Sequence, residues 1–304
     1  MKLNSEMYEL SFSSDKICTI YDDNYVLLNK TMPVTDDKLS WYIETIKRLK
    51  EKGVNIATIV DYRLIPGTTN KYRNGKIQYT RGIFLEDRAK GVSYNSESVY
   101  LNLGQDYDFN DVIQSYLKLM ISYVEELELR ANASQEVYDK LLLDCQSISQ
   151  NGLSIDPKPL NFFFDSNNGY TIIDVIPVSE GSNDLNRKFF PSYMFSMIFG
   201  YGKPSLYVDF TNVGRMPEEL KQRLLNAGEI LEAKIVASLR KYGFSENVIA
   251  QEVEKNRFKY RDDLPSISLE DMEDYVAQEF MKKKDEALKR EKTNQSDGLI
   301  IIDI

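Results

Sequence analysis

One short β-rich island, Leu153 to Val178, interrupts a chain that otherwise reads as helical from Phe109 onward, and this limits the folds open to it. Two long helical patterns precede the island, Phe109 to Arg130 and Ser134 to Gln150, the second ending near Gly152. Helices are expected again over Pro217 to Tyr242, Ser245 to Arg257 and Ser268 to Lys292. The first third has another character. Tyr8 to Phe12, Ile17 to Tyr21 and Tyr25 to Asn29 read as short strands between polar turns. Asp36 to Lys52 reads as a helix: Asp36 or Asp37 can cap it, Leu39, Ile43, Ile46 and Leu49 form one apolar stripe, and Gly53 ends it. Strands follow at Ile56 to Ile65 and Ile77 to Leu85, with a polar Gly67–Gly75 loop between them. The order is three strands, a helix, two strands, then helices around the island. Parallel βαβ repetition is absent, which argues against a doubly wound sheet.

Composition narrows the chemistry. The 304 residues contain no histidine, so Ser-His-Asp and Cys-His mechanisms and His-containing zinc sites are excluded. Acid–base work falls to Asp, Glu, Lys or Tyr, and any metal must sit on oxygen ligands, which suits a hard ion such as magnesium. Cys18 and Cys145 lie far apart in apolar settings and read as buried, reduced thiols. The net charge is −9, and the runs around Lys47 and Lys282 lie among acids on helical patterns, as solvated faces do, so no nucleic-acid partner is expected. No stretch approaches the roughly 20 apolar residues that cross a bilayer. No secretory pattern opens the chain. A soluble, cytoplasmic protein without a membrane partner is the expectation. The apolar run Leu299 to Ile304 is expected to dock as an added strand or in a groove.

The island reads Leu-Ser-Ile-Asp156-Pro-Lys158-Pro-Leu-Asn161-Phe-Phe-Phe, then a turn, then Tyr-Thr-Ile-Ile-Asp174-Val. Asp156 and Asn161 stand five apart with Lys158 between them, and Asp174 follows thirteen residues after Asn161 at the end of an apolar strand. This run resembles the protein-kinase catalytic loop, in which an Asp base and a metal-binding Asn are spaced in this way. The Ile-Ile-Asp ending resembles the small-molecule phosphotransferase branch of the same superfamily. The residue types suit phosphoryl transfer, which needs positioning and charge neutralisation more than covalent chemistry. By this resemblance Asn161 and Asp174 bind magnesium, Lys158 neutralises charge on the transferred group, and Asp156 orients the acceptor hydroxyl and takes its proton.

The resemblance also implies partners elsewhere. Lys30, at the end of the third expected strand, takes the place of the phosphate-contacting lysine, and Glu44 on the following helix takes that of its carboxylate partner. Gly82 to Gly91 takes the place of the hinge between lobes, with adenine bonded to the backbone around Leu85, Glu86, Asp87 and Arg88. The phosphate-covering loop falls at Ser11 to Lys16, where serines stand instead of glycines. Ser154 and Ile155 precede Asp156 where regulated kinases carry His and Arg, and no peptide-docking segment follows Asp174.

The expected fold is therefore α+β, a bilobal protein-kinase-like fold. Residues 1–87 form a lobe with a five-stranded antiparallel sheet and one helix, 88–265 a larger, mainly helical lobe with the catalytic loop, and 266–304 a charged helix and apolar tail. The expected cofactors are ATP and magnesium, and the expected activity is transfer of the γ-phosphate to a hydroxyl of a small molecule or protein. A pseudokinase-type nucleotide-binding interaction module and a kinase-fold nucleotidyltransferase stand as alternatives.

Overall fold

Asn4 starts the first element. In the computed structural model its side-chain oxygen accepts the Met7 amide at 2.8 Å, capping helix α1, Ser5–Ser13. The structure describes residues 2–13, 18–32, 36–65, 70–72, 77–91, 109–158, 161–165, 167, 169–178, 189–199 and 218–256. The strand expected over Tyr8 to Phe12 is thus a helix. It buries Met7 against Leu27, Ile83 and Leu85, with Leu3 and Tyr8 packed around them. An alternating apolar and polar run was outweighed by a cap and a burial face.

The chain divides into two compact units. The first comprises Met1–Ser93, Asn132–Tyr201 and Ile230–Arg257; the second comprises Tyr94–Ala131, Gly202–Glu229 and Phe258–Ile304. Every candidate site residue belongs to the first. Among the described residues the protein is mixed α and β, with seven helices and a small antiparallel sheet.

In the first unit, strands β1 (Cys18–Ile20), β2 (Tyr25–Met32), β3 (Ile59–Leu64) and β5 (Ile77–Asp87) form a sheet in the order β1-β2-β5-β3, and β4 (Asn70–Tyr72) pairs with β5. Five strands are present, but β4 takes the place of the expected first strand, and Lys30 lies on the second strand. Cys18, expected buried, is exposed on β1. Leu27 opposes Leu85 and Asn29 opposes Ile83, so α1 covers that face. By alternation the other face carries Val26, Leu28 and Lys30 opposite Glu86, Phe84 and Gly82.

Helix α2, Asp36–Glu51, lies between β2 and β3 and buries Leu39, Tyr42, Ile43, Ile46 and Leu49. Gly53 ends it at φ +88, the left-handed position that glycine supplies without strain. The island forms two antiparallel pairs. Strands β6 (Leu153–Ile155) and β9 (Val175–Pro177) pair, and β7 (Phe162–Phe164) and β8 (Tyr170–Ile172) make the expected hairpin. The Ala57 amide donates to Ile172 O at 3.0 Å and the Ile172 amide to Asn55 O at 2.9 Å, so the hairpin is bonded to the segment that leads into β3.

Beneath the island in the same unit lie α4 (Gln135–Gln150), α5 (Ser192–Phe199), the later turns of α6 (Glu218–Lys241) and α7 (Glu246–Asn256). Their apolar faces supply Leu141, Leu142, Cys145, Met194, Met197, Leu231, Ile235 and Ile249 to the core. In the second unit, α3 (Phe109–Asn132) is joined to the first turns of α6 by a two-point Arg223–Glu128 ion pair at 2.7 and 2.8 Å. The helix expected over Ser268 to Lys292, the apolar tail and the tip of the loop after Ser13 lie outside the described residues.

Candidate functional site

Two strand pairings bring three of the expected residues together. Ile155 opposes Val175 where β6 meets β9. Asp156 follows Ile155 and Asp174 precedes Val175, so the two residues flank the last pair of that ladder. In the hairpin, Phe162 opposes Ile172, and the Ile173 amide continues the ladder to Asn161 O at 2.9 Å. Asn161 therefore stands beside Ile173, one residue from Asp174.

The loop from Asp156 to Asn161 closes on its own backbone. The Lys158 amide donates to Asp156 O at 2.8 Å, and the Asn161 amide donates to Lys158 O at 3.0 Å. The side-chain nitrogen of buried Asn161 also donates to Asp156 O, at 3.1 Å. That bond fixes the amide flip and leaves Oδ1 as an acceptor. Lys158 Nζ lies 2.7 Å from Asp156 Oδ2.

Asp174 has φ +54 and is, among the described residues, the only non-glycine at positive φ. A short acidic side chain tolerates this conformation better than most, yet it is uncommon and concentrates at functional positions. Among the described residues its carboxylate has no hydrogen bond and no ion pair. The next carbonyl, of Val175, accepts the hydroxyl of Tyr42 from α2. Burial pushes the Tyr42 phenol well above its ordinary pKa, and the charges of Glu86 and Asp174 push it further in the same direction. Tyr42 thus sits in the field of both carboxylates.

The remaining expected residues distribute differently. Lys30 Nζ lies 3.4 Å from Glu86 Oε2, both side chains being largely buried. Glu44 is exposed on α2, and the structure does not bring it to Lys30. Two positions separate it from Tyr42, about 200° around a helix, so a helix that buries Tyr42 turns Glu44 to solvent. Asp87 and Arg88 close the end of β5. The Asp87 amide donates to Thr58 O at 3.0 Å, and its carboxylate accepts Lys50 at 2.5 Å and the Thr58 hydroxyl. The Arg88 amide donates to Asn24 O at 2.7 Å and its guanidinium to Asp22 O at 3.2 Å. A base bonding these amides has to displace the carbonyls of Thr58 and Asn24.

Two residues of this neighbourhood have no sequence expectation, Tyr42 and Asp144. Buried Asp144 accepts the Asn55 amide at 2.9 Å, the Tyr170 hydroxyl at 2.7 Å and the Lys140 ammonium at 2.7 and 2.9 Å. It ties α4, the segment before β3 and the hairpin to one carboxylate. An acid among Leu141, Leu142, Cys145 and Ile148 on a buried helix face was the available signal, since such a group is kept only where it is paired.

Among the described residues no three His, Cys, Asp or Glu side chains are grouped so as to hold a metal by themselves. No helix among them is long and apolar enough to cross a membrane. No family model matches the chain. None of the curated proteins matches it. Among solved structures it is similar to the ROP18 kinase domain in complex with AMP-PNP and sucrose, at 12% identity over 86% of this chain and 75% of that one, with a TM-score of 0.32. A likeness of that degree carries no functional weight.

Proposed function

We propose that the chain binds ATP with magnesium and transfers the γ-phosphate to a hydroxyl of a small-molecule or protein acceptor. The observation that carries this reading is the juxtaposition of Asp156, Asn161 and Asp174 at the open ends of two adjoining strand pairs. Asp174 offers a carboxylate without a cation partner among the described residues, and Asn161 offers a side-chain oxygen whose amide nitrogen is already engaged. One carboxylate and one neutral oxygen fit magnesium, which keeps several waters and draws further ligands from substrate phosphates rather than from an all-protein cage. Bound there, the ion would neutralise charge on the phosphates during transfer.

The chain's own residues supply the rest. The Asp156 carboxylate, beside these ligands, orients the acceptor hydroxyl and accepts its proton. Lys158, half exposed and next to Asp156, presents a positive charge to the transferred group. Lys30, on the sheet face turned away from α1, is the second cation for the phosphates.

One observation favours a second reading, an interaction module that does not turn over. The segment expected to fold over the phosphates is helical through Ser13, so backbone amides from Ser11 to Ser13 are engaged within α1. Calorimetry with ATP, with and without magnesium, tests the shared premise; no heat of binding at millimolar ATP overturns both readings. Release of phosphate, or label from γ-labelled ATP appearing on an acceptor, separates turnover from binding. Both signals are expected to vanish in Asp174→Ala. Transfer of an α-phosphate label instead would assign nucleotidyl transfer.

A further inference from the structure

The lysine–carboxylate pair expected between strand and helix is made within the sheet. Lys30 opposes Gly82 in the β2–β5 register, while Glu86 opposes Val26. All four residues lie on the face opposite α1. A side chain at position 82 would meet the Phe84 ring at 3.2 Å and Arg63 O at 3.0 Å, so the place beside Lys30 is closed. Lys30 instead reaches along β5, over the Leu28–Phe84 pair, to Glu86 Oε2 at 3.4 Å. The two side chains are only 16% and 8% exposed, so water does little to screen the pair, and loss of one partner leaves a buried charge uncompensated.

We propose that Glu86 is the positioning residue for Lys30, holding its ammonium toward the nucleotide phosphates in the role expected of Glu44. The inference rests on the ATP binding proposed above. Its physical consequence concerns control. Lys30 and Glu86 stand on strands paired continuously from Tyr25↔Asp87 to Met32↔Thr80, so the sheet sets their geometry. A helix-borne carboxylate makes such a pair depend on where the helix sits. Here both members of the pair are carried by the sheet, and neither by α2.

The test is a double-mutant cycle on the affinity of the full chain for magnesium-ATP, measured by calorimetry. Glu86→Gln is expected to weaken binding about tenfold or more, a typical loss for a hydrogen bond to a charged group. Lys30→Met is expected to weaken it at least as much. The two together should match Lys30→Met alone, because Glu86 acts through the lysine. Glu44→Gln should weaken binding less than Glu86→Gln. A purely structural role for Glu86 would instead repeat its loss in the Lys30→Met background. Should Glu86→Gln fail to fold, Glu86→Asp keeps the charge but shortens its reach by a methylene, and must also bind more weakly than wild type. Wild-type affinity in a folded Glu86 variant, additive losses in the cycle, or a larger loss in Glu44→Gln each overturns the proposal. A wild-type chain that binds no nucleotide removes the activity reading and this inference with it, whereas the other failures leave the activity reading standing.

Discussion

The hydroxyl of Tyr42, carried by α2, is hydrogen-bonded to the carbonyl of Val175, the residue that follows Asp174. The bond links the sheet's helix to the corner at which the chain leaves β8 and enters β9. Tyr42 is buried, so without the hydroxyl the Val175 carbonyl loses its donor away from water. Tyr42→Phe keeps the ring and removes only that bond. It is expected to lower stability by about 1 to 3 kcal/mol, read as a lower urea midpoint with unchanged helical circular dichroism.

Asp174 combines a left-handed backbone with a carboxylate that has no cation partner among the described residues. Its negative charge shares the surroundings of Tyr42 with that of Glu86. Asn tolerates positive φ as well as Asp does and removes the charge without changing the shape. Asp174→Asn is therefore expected to hold stability within about 1 kcal/mol of wild type, or to raise it by that amount, while magnesium-dependent ATP affinity falls. Thermal unfolding and calorimetry on the same preparation check the two halves. A large loss of stability would make Asp174 a structural residue.

Much of this arrangement was legible from local signals. The apolar stripe and terminal glycine of α2, the Asn161–Asp174 hairpin and the long helices before the island all follow from periodicity and turn chemistry. The first helix was not, because Tyr8, Leu10 and Phe12 alternate with polar residues as a strand does, and only the cap at Asn4 spoke for a helix. Helix α5 escaped for the opposite reason. Met194, Phe195, Met197 and Ile198 are all buried, and a helix buried nearly all round shows no amphipathic period. The partner of Lys30 depends on strand register across 56 positions, which no local pattern encodes. Glu44 lies at the expected distance from Lys30 along the chain but on the exposed side of its helix.

Gly91 stands at φ +103, and a Cβ there would lie 2.3 Å from the carbonyl oxygen of Phe164. The segment leaving β5 thus passes directly over the end of β7, a closeness only glycine allows. Gly53 provides the comparison, since it has φ +88 with nothing within 4 Å of its Cβ position. Gly53→Ala is expected to cost about 1 kcal/mol, from backbone strain alone. Gly91→Ala adds a backbone collision and is expected to cost about 3 kcal/mol or more. Equal losses in denaturant titrations would mean that the segment leaving β5 does not approach the end of β7 in this way.

The buried phenol of Tyr170, which donates to Asp144 at 2.7 Å, is one of the groups that make stability fall at alkaline pH. Burial pushes its pKa far above the ordinary 10.0, and the Asp144 charge and hydrogen bond push the same way. The folded chain therefore holds the phenolic proton more tightly than the unfolded chain does. The resulting stabilisation is complete below pH 10.0 and is lost progressively as pH rises from there toward the raised folded value. Tyr42 and the Cys145 thiol, raised first by their own burial, act in the same direction. Tyr170→Phe is expected to lose about 1 to 3 kcal/mol at neutral pH, because Asp144 loses a donor. The variant should then decline less than wild type between about pH 8 and about pH 10.5, since one titrating group is gone. Urea unfolding at the two pH values separates the effects: a lower but flatter profile is expected, and a parallel one would show that the Tyr170 proton is not bound more tightly in the folded state.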